Sequence, residues 1–79
     1  MGRNYFVPCK PGDKVYVIYS GLGSGYKIIT DAVLWVTINK TGIFFETNYI
    51  TGGRFGVDIF QTEDDARRYA SEHNIELDD

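Results

Sequence analysis

Apolar and polar positions alternate with period two over most of the first sixty residues, then change to helical spacing near the end. Pro11-Gly12 marks a tight turn, and Lys14 to Tyr19, rich in Val, Ile and Tyr, reads as a strand. A long strand follows from about Tyr26 to Lys40, in which Asp31 marks a bend or bulge. In its second half Ala32, Leu34, Val36 and Ile38 fall on one face, and Val33, Trp35, Thr37 and Asn39 on the other. Strand side chains alternate, so the first set is expected to face the core. Thr41-Gly42 supplies a hairpin turn to a third strand, about Ile43 to Ile50, with Ile43 and Phe45 inward and Phe44, Glu46 and Asn48 outward. Gly52-Gly53 makes the next turn, and a fourth strand covers about Arg54 to Phe60.

The period then changes. Thr62 and Asp65 form a variant of the capping box, and Glu63, Asp64 and Asp65 fill a first turn where the helix dipole favours negative charge. Ala66, Tyr69, Ala70 and His73 recur at i, i+3, i+4, i+7, a stripe expected to lie on the strands near Phe60. Asn74 is the expected helix stop, and Ile75 and Leu77 are expected to add a short edge strand or anchor the tail. Asp78-Asp79 is expected to fray. The fold class is therefore mainly β (α+β): a small antiparallel SH3-like β-barrel of four to five strands followed by one C-terminal α-helix. Residues 1–79 make a single domain, with the barrel at about 13–61, the helix at about 63–73 and a short tail at 74–79.

Composition changes the picture in three respects. A chain of 79 residues buries only about 60% of the surface its unfolded form exposes, so the core is thin. One Trp, six Tyr and five Phe offset this, because each ring buries a large area. Cys9 is the only cysteine and forms no internal disulfide, which favours a reducing compartment. The first residues lack a signal-peptide apolar run, and no segment approaches a membrane span of roughly 18 apolar residues, so a cytoplasmic protein with no membrane partner is expected. The sequon Asn39-Lys40-Thr41 then reads as a turn.

Charge is unevenly placed. Residues 1–40 hold five Lys/Arg against two Asp/Glu, a balance of +3; residues 41–79 hold three against nine, a balance of −6. A net charge of −3 disfavours general nucleic-acid binding, which depends on basic side chains. The acidic half suits a basic partner surface.

Catalytic and metal chemistry find little support. His73 and Cys9 are the only residues of their kinds and have no spacing that pairs them, so no catalytic residue is assigned. No metal site is expected, since zinc needs clustered soft ligands and the acidic pairs lack a calcium-loop spacing. The Gly21–Gly25 loop lacks the Gly-Lys-Ser/Thr ending of a phosphate cradle and precedes a strand. No cofactor is expected.

Two constellations remain. If Trp35 points outward beside Val33 and across the hairpin from Phe44, the three make a protein-docking patch. Asp64, Asp65 and Glu72, with Glu76, would contribute an acidic helix surface. The alternative is a nucleic-acid-binding module that uses Lys14, Tyr16, Tyr26 and Lys27, with Tyr19 and Tyr49 extending a stacking platform.

Pro8-Cys9-Lys10-Pro11-Gly12-Asp13-Lys14-Val15-Tyr16-Val17-Ile18 and Phe55-Gly56-Val57-Asp58-Ile59-Phe60-Gln61-Thr62-Glu63-Asp64-Asp65-Ala66 bracket the chain. Together they resemble a group of small uncharacterised proteins carried by phages and prophages of Gram-positive bacteria. The resemblance covers roughly a third of the chain. Gln61 stands where an apolar residue is more usual, and Asp64-Asp65 replaces a glutamate pair. The shared residues form a turn, the first and last strands and a helix cap. The resemblance thus implies a mobile-element origin and an SH3-like barrel, and no reaction. With it, the expected function is a non-enzymatic binding protein acting on a host or phage protein. An inhibitor of a host defence nuclease is one version, with the acids imitating phosphates; a structural or oligomeric phage component is a further alternative.

Overall fold

A computed structural model describes residues 7–20 and 25–78. The expected Gly21–Gly25 loop, apart from Gly25, lies outside the described residues, as does Asp79. The chain enters through the turn Lys10–Asp13, where the Asp13 N–H donates to the Lys10 carbonyl at 3.0 Å. Gly12 has φ +94°, a conformation a type II turn requires at its third position and only glycine adopts freely. Five elements follow: β1 (Lys14–Tyr19), β2 (Lys27–Asn39), β3 (Gly42–Thr47), β4 (Ile59–Phe60) and α1 (Glu63–Glu72).

The strands form one antiparallel open sheet in the order β3-β2-β1-β4. The β1–β2 ladder runs from Tyr19↔Lys27 to Lys14↔Ala32. The entry turn adds one rung, with the Gly12 N–H donating to the Val33 carbonyl and the Val33 N–H to that of Asp13. The third strand stops at Thr47, short of the expected Ile50, because its hydroxyl accepts the N–H groups of Tyr49 and Ile50 and turns the chain. The fourth strand is much shorter than expected. Residues 54–58 form a tight turn: the N–H groups of Val57, Asp58 and Ile59 converge on the Arg54 carbonyl, and Asp58 Oδ2 accepts the Arg54 N–H at 2.9 Å. Only Ile59 and Phe60 pair with β1. Single bridges, Phe45↔Gly53 and Phe55↔Ile59, link the intervening segment to β3 and β4.

A bulge in β2 corrects the expected faces. Val33 pairs with Thr47 but Trp35 with Glu46, so Leu34 is an extra residue on this strand. One extra residue reverses the alternation. Asp31 and Val33 face inward before it, at 5% and 2% exposure, and Val36 packs on the core after it. Val33 is therefore a core residue, and Leu34, expected inward, is exposed. Ile38 pairs with Ile43 on the inward side but lies near the hairpin end, where it is exposed.

The two faces of the sheet bury different residues. Cys9, Val15, Val17, Val33, Phe45 and Ile59 form the core on one side. Full burial of side chains such as Phe45 and Ile59 stabilises the fold by roughly 1.5–3 kcal/mol each. Next to Ile59, Phe60 points the other way, towards α1, where its ring lies 5.4 Å from that of Tyr69, and Ala66 and Ala70 are buried.

Both helix ends follow the sequence. Thr62 Oγ1 accepts the Asp65 N–H at 3.1 Å. Beyond the C-cap His73, Asn74 adopts φ +57°, the Ile75 N–H reaches the Ala70 carbonyl and the Asn74 N–H that of Ser71, as in a Schellman motif. The tail is anchored at Leu77, as expected, by a parallel bridge to Tyr26; Asp78, expected to fray, is held as well, its N–H donating to the Tyr26 carbonyl at 2.7 Å.

Candidate functional site

Trp35 is 55% exposed. Its position follows from the bulge: opposite residues of a ladder share a face, so Trp35, Glu46, Thr37 and Phe44 all project outward, with Phe44 diagonal to Trp35. Phe44 is half-buried, and the Arg54 guanidinium lies 5.3 Å from its ring centroid. Val33 does not join this face. Sequence reasoning missed Leu34, exposed next to Trp35, because an unbroken alternation sends it inward. Among the described residues, α1 packs against β1, β2 and β4 and leaves β3 untouched. Beyond Val33, β2 has β3 on one side and no described strand on the other.

The acidic residues do not form one unbroken surface. Asp65 pairs with Arg68 at 3.4 Å and Glu63 with Arg67 at 2.9 Å, so basic side chains interrupt the acids. Asp64 and Glu72 are exposed and have no ion-pair partner among the described residues, and Glu76 is exposed in the tail. Asp65, Arg68 and Glu72 instead edge a cleft of about 260 Å³ between α1 and residues 55–61, with Phe55, Phe60 and Tyr69 in its walls. Sequence reasoning did not find this cleft, because it assigned Phe55 to a strand.

The residues of the alternative reading are dispersed. Lys14 and Lys27 stand at opposite ends of the β1–β2 ladder, five rungs or roughly 17 Å apart. Lys14 Nζ lies 5.5 Å from the ring of Tyr16. Tyr16 and Tyr19 fall on opposite faces of β1; Tyr19 meets Tyr49 at 5.1 Å, while Tyr26 sits against the tail. The tyrosines therefore make no single stacking platform.

Cys9 and His73 lie on opposite sides of the sheet. Cys9 is 3% exposed in the core; burial and the nearby Asp13 carboxylate push its thiol above the ordinary value, which lowers its reactivity. His73 stacks on Tyr69, with ring centroids 3.9 Å apart. The described residues contain no group of three or more His, Cys, Asp or Glu arranged to hold a metal. Among them, no helix is long and apolar enough to cross a membrane.

Compared with protein-family models, curated proteins and solved structures, the chain finds no match in any of the three.

Proposed function

We propose that the chain is a non-enzymatic protein-binding module that docks through the outward face of β2 and β3, with Trp35 as the anchor. One observation carries this reading: the only tryptophan of a small, thin-cored domain is more than half exposed, next to exposed Leu34 at the bulge. Such contiguous apolar exposure marks interaction surfaces, and Trp is enriched among residues that dominate binding energy. Phe44 belongs to the face, and Arg54 over its ring adds a positive charge at the rim.

The finer SH3-like architecture belongs to the same reading. It is supported by the bridges Phe45↔Gly53 and Phe55↔Ile59, which carry the chain across the gap between β3 and β4. A phage or prophage origin and a cytoplasmic site of action rest on the resemblance and on the lone buried cysteine. Inhibition of a host defence protein through phosphate mimicry is the narrower version. It needs Asp64, Asp65 and Glu72 to act together against the neutralising pull of Arg67 and Arg68. If Asp64→Asn with Asp65→Asn leaves partner affinity unchanged across salt concentrations, mimicry is excluded.

The test of the main reading is affinity capture from bacterial lysate, followed by binding of the purified captured protein to the native chain and to Trp35→Ala. The expected result is a loss of about 30-fold or more in affinity with an unchanged thermal midpoint. Equal affinity for both would overturn the docking face. Retention only while nucleic acid remains intact would replace this reading with the nucleic-acid one.

A further inference from the structure

The last turn of α1 violates a local rule. Helix C-termini carry partial negative charge and favour Lys, Arg or His⁺. Here the last turn contains no basic residue and ends in Glu72, with His73 just beyond it as the C-cap, stacked on Tyr69. Glu72 therefore adds a full negative charge where the helix already presents its own, and among the described residues no cation pairs with it. Arg68, one turn back and itself on the lining of the cleft described above, is engaged with Asp65, which leaves Glu72 as the one unpaired charge among the described residues of the cleft. Placement of charge against local stability is characteristic of functional sites.

This uncompensated acid edges the cleft between α1 and residues 55–61. The cleft walls are aromatic: Phe55 is 37% exposed, and Tyr69 is half-buried between Phe60 and His73. Aromatic rings beside a carboxylate suit one kind of occupant, a cation on an apolar stem. The ring quadrupole attracts the charge, the carboxylate pairs with it, and the stem lies along apolar surface. The balance of residues 41–79, −6, draws such a group in.

We propose that this cleft binds a Lys or Arg side chain presented by an extended segment of a partner protein, with Glu72 as its counter-ion and Phe55 and Tyr69 as its walls. The inference rests on the reading of the chain as a binding protein, but it concerns a surface separate from Trp35. The charged rim defines the occupant: a neutral apolar peptide would leave Glu72 unpaired, and an acidic one would be repelled by it.

The test is a titration of the isotope-labelled chain, followed by NMR, with acetyl-Ala-Arg-Ala-amide and, as the apolar match, acetyl-Ala-Leu-Ala-amide. The arginine peptide is expected to shift the amides of Gly56, Gln61, Tyr69 and Glu72 saturably, and the leucine peptide to leave them in place. Glu72→Gln is expected to weaken binding about three-fold and Glu72→Arg about ten-fold. Because Glu72→Gln removes an adverse helix-end charge, its thermal midpoint is expected to rise by about 2–6 °C, which separates lost binding from lost folding. Trp35→Ala is expected to leave the titration unchanged, so failure of this cleft and failure of the Trp35 face are read separately. Absence of a saturable shift, equal shifts with the leucine peptide, or native affinity in Glu72→Arg would each overturn the proposal.

Discussion

Asp31 Oδ1 accepts hydrogen bonds from both the backbone N–H of Asn48, at 3.0 Å, and its side-chain Nδ2, at 2.9 Å, across a separation of 17 residues. The same carboxylate takes the Ala32 N–H at 2.7 Å and the Tyr49 N–H at 3.2 Å. One buried acid on β2 thus gathers the turn that ends β3, and holds the bulged strand against it.

Loss of that carboxylate strands several donors. Asp31→Ala is expected to destabilise the fold by about 2–3 kcal/mol, since the Asn48 N–H loses its partner in a partly buried turn and the Tyr49 N–H keeps only the Thr47 hydroxyl. Urea denaturation at neutral pH measures this.

The same group gives a pH dependence with a definite sign. Burial opposes ionisation of Asp31, but the hydrogen bonds from Thr47, Ala32 and Asn48 outweigh it and hold the carboxyl below its ordinary value. A depressed folded pKa contributes stability that is fully present above the unfolded value, about 3.9, and is lost as pH falls through the lower folded value. The native thermal midpoint is therefore expected to drop more steeply below about pH 4 than that of Asp31→Asn. Parallel profiles would exclude the effect.

Gly53 tests the approach of the 53–55 segment to β3. Its N–H and carbonyl both pair with Phe45 at 2.8 Å, and a Cβ added there would fall 2.6 Å from Ile50 Cγ2. Ile50 is packed on the core and Cγ2 is one arm of its branched Cβ, so it cannot swing aside freely. Gly53→Ala is expected to cost about 2 kcal/mol by overpacking. Gly52→Ala, at φ +65° in open space, is expected to cost about 1 kcal/mol from backbone strain alone. Chemical denaturation of the two variants should rank them in that order.

The helix cap is a local test. Thr62→Ala is expected to cost about 1 kcal/mol and Thr62→Ser to retain most of the stability, because only the hydroxyl bond to the Asp65 N–H is at stake.

Local chemistry was legible in the sequence and tertiary chemistry was not. Pro11-Gly12, Thr62 and Asn74 act through their own neighbours within a few residues, so their roles follow from residue type. β1 and β2 came out within a residue of their expected ends, because their Val/Ile/Tyr-rich pattern is long. The bulge was expected at Asp31 and lies three residues on, at Leu34, because its position depends on pairing with Thr47 and Glu46. That shift alone moved Val33 into the core and Leu34 out of it. Arg54 to Asp58 looks like strand by composition, yet folds as a turn because the Arg54 carbonyl and the Asp58 carboxylate collect its N–H groups. The cleft beside α1 was not legible for the same reason.

The most direct test of the account is the fluorescence of Trp35 in the isolated chain, since no other tryptophan contributes. The bulge places this ring outward, uncovered by α1 and available to a partner. The account predicts acrylamide quenching close to that of a free tryptophan derivative, at concentrations where light scattering shows a monomer. A protected, blue-shifted emission under those conditions would contradict the open docking face and the function proposed from it.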